Sequence, residues 1–183
     1  MSNQLAVLFP GIGYHIDKPL LYYSAKLARA RGYDLLAVQY PALPTGLRGH
    51  AEKIEQAVQT ALSAAEEQLT TIDWTAYDRV FFLSKSIGTA IAARYAVQHN
   101  IHPRQVYYTP IEQALPYLDP TGIAFHGTAD PWANTEMITN GCRKIDIPLY
   151  LTENAMETGD TLHDIFILHD IMDETAHWMD STT

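Results

Sequence analysis

At 183 residues, 47% of them hydrophobic, the chain has the length and apolar material for one domain with a buried core. A formal charge of −9, from 12 lysines and arginines against 21 aspartates and glutamates, leaves no basic surface to follow a nucleic-acid backbone or an anionic membrane. The single cysteine, Cys142, closes no internal disulfide, and the opening Met1-Ser2-Asn3-Gln4-Leu5 has neither the basic nor the apolar region of a signal peptide; a cytoplasmic location is expected.

Along the chain, short apolar runs at 4–9, 34–40, 79–83, 105–108, 122–126 and 148–152 alternate with helical patterns. That alternation predicts a three-layer α/β/α sandwich in one domain spanning 1–183, around a doubly wound, mostly parallel, six-stranded sheet. Leu5-Ala6-Val7-Leu8-Phe9 and Val80-Phe81-Phe82-Leu83 lack polar alternation, as strands buried on both faces do. A first helix enters through Pro19, with Asp17 as its expected cap, and ends at Gly32. In the next, Ile54, Val58, Ala61, Leu62, Ala65 and Leu69 recur every three or four residues as one apolar stripe, while Glu52, Lys53, Glu55 and Glu66 read as a solvated face. A third helix starts straight after Ser86 and carries small residues, Ala90, Ala93 and Ala96, that allow close packing. The stretch 110–120 reads as irregular, at most a short flap. The last helix, 162–179, opens on Thr161-Leu162-His163-Asp164, close to a capping box. Its Asp170, Glu174 and His177 share a face that reads as solvated. With no His-Glu-x-x-His and no cysteine cluster, neither metal nor cofactor is expected.

The chemistry concentrates at Ser84-Lys85-Ser86-Ile87-Gly88, where a serine flanked by small residues stands between a buried strand and a helix. A nucleophile elbow demands this arrangement: the backbone turns so tightly that its neighbours must be small, and the helix start aims free N–H groups at a developing oxyanion. Pro10-Gly11-Ile12-Gly13-Tyr14 follows the first strand; as a phosphate cradle it lacks the Lys-Ser/Thr and the helix such a loop needs. Together these segments resemble the α/β-hydrolase superfamily, in order and over nearly the whole chain. The resemblance implies Ser86 as nucleophile, the N–H groups of Ile12 and Ile87 as the oxyanion hole, and Asp130, in His126-Gly127-Thr128-Ala129-Asp130-Pro131-Trp132, as the triad acid. An Asp-Pro pair also favours turns regardless of chemistry.

In that superfamily the base is a histidine after the last strand, often within Asn-His-Ser-Leu-Glu. Aligning Met156-Glu157 with Leu-Glu puts Asn154 where the histidine belongs, and no histidine occurs between Gly127 and Leu162. An amide cannot take the serine proton at neutral pH. His15 and His163 are the candidate substitutes, with His126 and Lys85 behind them. The expected function is a serine hydrolase of the carboxylesterase type, acting on a small-molecule ester or acyl compound through acyl-Ser86. Tyr14, Trp132 and Tyr108 are expected to favour an apolar acyl or aryl group. The alternative is a catalytically impaired relative that keeps the pocket for binding.

Overall fold

A computed structural model of the protein describes residues 3–155 and 164–181. In chain order the elements are β1 (Gln4–Phe9), α1 (Pro19–Ala30), β2 (Asp34–Ala37), α2 (Ala51–Leu69), β3 (Arg79–Lys85), α3 (Ile87–Gln98), β4 (Arg104–Tyr108), β5 (Ile123–Gly127), α4 (Thr135–Lys144), β6 (Leu149–Thr152) and α5 (Ile165–Asp180). The six strands form one sheet in the order β2-β1-β3-β4-β5-β6, and every pairing is parallel. Winding starts at β1, runs outward to β2, then returns to the other side of β1 with β3. The carboxyl ends of β1 and β3 therefore flank a topological switch point, where open α/β sheets place their crevice.

Alternate strand residues feed two cores. Val7, Phe9, Phe82 and Tyr107 pack with α2, α3 and α4, whereas Leu8, Phe81, Leu83 and Tyr108 pack with α1 and α5. Helix α3 lies at the centre of its layer, buried from Ile87 to Ala96, and its alanines let it sit close to its neighbours. Among the described residues, no helix is long and apolar enough to cross a membrane.

Several expectations change in three dimensions. Strand β2 stops at Ala37 because it is an edge strand and the backbone of Gln39 is occupied by the Gln68 side chain, through Gln39 N–H to Oε1 (2.9 Å) and Nε2–H to the Gln39 carbonyl (2.7 Å). Asp17 does not cap α1. Lys18 is the cap residue, and the phenol oxygen of Tyr14 accepts the Leu20 N–H at 3.0 Å, satisfying a free donor of the first turn. Helix α4 was not evident from periodicity because only Ile138 and Cys142 are buried; its signal is Asn134, whose side chain accepts the Met137 N–H. The stretch 110–120 is no loose flap. It holds a 3₁₀ segment, Glu112–Tyr117, whose Ala114 is buried in the core beside α3 and whose Leu115 meets Gly141 of α4.

Glu55 also leaves the solvated face assigned to it. Its carboxylate forms a two-pronged pair with Arg94 of α3, at 2.5 and 2.7 Å, and Arg94 further reaches the Gln113 carbonyl and stacks over Tyr117. The guanidinium is buried, and the hydrogen bond from it holds the Glu55 carboxyl down at about 2. A depressed carboxyl stabilises the fold above its ordinary value of 4.5, and that contribution fades as pH falls from there through about 2. Because the Glu55 side chain is 43% exposed, solvent screening reduces the effect. Glu55→Gln should cost about 1 kcal/mol in urea unfolding at pH 7, with the difference from the natural chain closing towards pH 2. A constant difference across that range would show the ion pair to be irrelevant.

Candidate active site

Ser86 joins β3 to α3 with φ 52° and ψ −121°. A non-glycine residue there is strained by about 1–3 kcal/mol, and it persists only where its surroundings hold it. They do so on both sides. The Ser86 N–H donates to the Tyr108 carbonyl at 2.9 Å, and its carbonyl accepts from the Thr89 N–H (2.9 Å) and the Thr89 hydroxyl (2.6 Å). Ser84, in the position usually held by glycine, is buried and donates its hydroxyl to the Val106 carbonyl. Gly88 has no alternative: a Cβ there would run into the Phe9 carbonyl oxygen and lie 2.6 Å from that of Pro10.

The same crowding brings the loop after β1 against the serine. A Cβ on Gly11 would lie 3.3 Å from the Ser86 Cβ. Gly11 and Tyr14 exchange backbone hydrogen bonds across a tight turn, which keeps the Ile12 N–H outside the pair, and Gly13 takes the φ of 68° that such a turn asks of glycine. Ile87 is the first residue of α3, so its N–H has no carbonyl one turn back to bind. The helix dipole adds partial positive charge at the same point.

Asp130 lies in the loop after β5, buried, with Oδ1 accepting the Trp132 N–H at 2.8 Å and Oδ2 3.9 Å from His126 Nδ1. The loop after β6 runs alongside. The Thr128 N–H donates to the Thr152 carbonyl, the Ala129 N–H to the Ala155 carbonyl, and the Asn154 N–H to the Thr128 hydroxyl at 2.9 Å. Gly127 admits this approach, since a Cβ on it would sit 2.5 Å from the Ala155 oxygen. Asn154 is exposed at φ 54°, a left-handed conformation that asparagine tolerates.

Neither His15 nor His126 lines the cavity of Ser86. Ser86 lines a cavity with Ile12, Tyr14, Leu47, Ile54, Ile111 and Trp132 among others, and no described histidine lines it. His15 lines a separate cleft between the loop after β1 and residues 37–43. His126 is buried, with Nε2 3.2 Å from the Thr135 hydroxyl at the start of α4, and lines a third cavity with Thr109 and Ala155. His163 lies outside the described residues. Lys85 is fully buried, its ammonium 4.7 Å from the centre of the Tyr14 ring. Tyr108, expected as a pocket neighbour, faces the opposite core: its hydroxyl contacts Ser24 (2.8 Å) and Thr175 (2.9 Å), and burial pushes it up to about 12. Cys142, the single cysteine, is buried and its thiol raised to about 11, so it is no ready thiolate nucleophile. Among the described residues no group of three or more metal-ligating side chains occurs.

A parallel sheet wound from β1, a strained serine between β3 and α3, and a glycine turn against it define the α/β-hydrolase fold. Similar solved structures include an α/β serine hydrolase homologue from Coxiella burnetii, at TM-score 0.66 and 15% identity over 97% of this chain and 85% of that one. A lid-less α/β serine hydrolase from Xanthomonas campestris aligns at TM-score 0.59 and 14% identity over 100% and 86%. An esterase from Pyrococcus furiosus aligns at 0.69 and 12% over 97% and 83%. No protein-family model and no curated protein sequence matches the chain.

Proposed function

We propose that this protein is a serine hydrolase of the carboxylesterase type that acts on small ester or acyl compounds through acyl-Ser86, and that it turns over slowly because Asn154 stands in the place of the base. The observation that carries this reading is the backbone of Ser86, held at φ 52° against the loop of Ile12 at the start of α3. Strain maintained at a half-buried turn that lines a cavity, beside N–H groups at a helix start, serves attack on a carbonyl better than it serves packing. Structural neighbours named as serine hydrolases and esterases accord with it.

In the first step the Ser86 Oγ bonds to the carbonyl carbon while the Ile12 and Ile87 N–H groups receive the oxyanion. The ester C–O bond then breaks and the alcohol leaves with the proton that serine lost, relayed by water. Water next adds to the acyl-serine, releasing the carboxylic acid and restoring the hydroxyl. The amide of Asn154 cannot take the serine proton, so proton transfer is the slow element.

Asn154 also favours a second reading, a binding protein that retains the pocket without the reaction. A fluorophosphonate probe separates the two, since it phosphonylates an activated serine and spares an inert one. Slow labelling that reaches one equivalent and disappears in Ser86→Ala is the expected result. Absence of labelling over many hours, with the fold intact by circular dichroism, would transfer the assignment to the binding reading.

A further inference from the structure

We propose that Trp132 and Ile54 set the length of acyl chain accepted beside Ser86, which deepens the hydrolase reading by naming its substrate class as acyl compounds with a short chain. The cavity at Ser86 has a volume of about 100 Å³, and the buried apolar side chains of Leu47, Ile87 and Ile111 line it together with Lys85. At about 30 Å³ for a water-sized group, it holds about three or four carbon atoms. Beyond it lies a wider cleft of about 390 Å³, lined also by His50, Glu112 and Asn134. The two spaces share Trp132 and Ile54.

Both wall residues are side chains on anchored backbone. The Trp132 N–H is held by Asp130, and the Ile54 N–H donates to the His50 carbonyl at the start of α2. Trp132 is 37% exposed and outside both core clusters, so truncating it removes wall without hollowing the core, whereas Ile54 is half-buried and packs against the core, so its variant is checked with a thermal melt. The cavity is also bounded by Ile12 and Gly13, the loop whose backbone would receive the oxyanion and which it shares with the His15 cleft, whereas Trp132 and Ile54 are the side chains it shares with the cleft of His50.

The test measures binding, so it does not require Ser86 to react. In the Ser86→Ala protein, a series of linear methyl ketones from 2-butanone to 2-undecanone is titrated and followed by NMR shifts of Leu47 and Ile111. Each added methylene that finds apolar wall should tighten binding about fourfold. The gain should stop beyond an alkyl chain of about four carbons, the size of the cavity. Adding Trp132→Ala or, separately, Ile54→Ala should carry the gain on by several carbons. If the series breaks at the same length in all three proteins, or if no ketone shifts Leu47 or Ile111, the inference is overturned. If fluorophosphonate labelling fails while the ketone series behaves as expected, the acyl cavity stands and only the chemistry assigned to Ser86 is lost.

Discussion

Asn154→His should raise the rate of p-nitrophenyl acetate hydrolysis by about 10²-fold, the usual contribution of a positioned general base. The substitution suits its site. Histidine, like asparagine, is among the residues most often found at positive φ, and the hydrogen bond from residue 154 to Thr128 uses the backbone N–H, which histidine retains. The position is exposed, so a larger ring displaces no core. Asp130, on the loop bonded alongside, is the carboxylate that the triad reading assigns to hold the imidazole in its useful tautomer. The gained activity should follow a single ionisation near the ordinary histidine value of about 6.5, with the rate rising as the ring loses its proton. It should vanish when Ser86→Ala is added. A variant that folds and shows no gain would mean that residue 154 does not reach the serine hydroxyl, and the triad reading of this loop would fail.

Gly88→Ala is expected to destabilise the protein by about 3 kcal/mol, the upper part of the usual range for overpacking. The added methyl meets the carbonyl oxygens of Phe9 and Pro10, which are backbone at the end of the central strand β1 and cannot swing aside as a side chain would. Relief requires α3 to lift from the sheet or the loop after β1 to shift, and either moves Ile12 away from Ser86. The melting temperature should fall by roughly 6–12 °C, at about 2–4 °C per kcal/mol for a chain of this size. Fluorophosphonate labelling of the remaining folded protein should slow in parallel. Gly46→Ala makes the control: its φ of 66° disfavours alanine, but nothing lies within 4 Å of the new Cβ, so a loss of about 1 kcal/mol and unchanged labelling are expected. Equal losses at the two glycines would refute the packing argument.

The chain order of the elements could be read from residues because a strand buried on both faces must be uniformly apolar over a few positions. Leu5 to Phe9 and Val80 to Leu83 satisfy that condition, and both are strands. The stripe from Ile54 to Leu69 was equally legible, since a helix buries what recurs every three or four residues. Weakly apolar segments escaped. Helix α4 buries two residues, and the 3₁₀ segment after β4 has no helical period to recognise.

By itself the sequence determined a six-stranded α/β sheet and the position of Ser86 between a buried strand and a helix of small residues, because both follow from local rules of period, size and turn chemistry, whereas the strand order came from the structure. Only the tertiary structure decided which distant groups meet. Arg94 pairs with Glu55 from 39 positions away, the Tyr14 hydroxyl rather than Asp17 caps α1, and Tyr108 turns towards Ser24 and Thr175 instead of the pocket. His15 lines a different cleft from the cavity of Ser86. The physical reason is common to all four. A pattern of spacing states which face of an element is apolar, whereas the partner of a polar group depends on how two cores close around the sheet, and that is settled by packing between residues far apart in the chain.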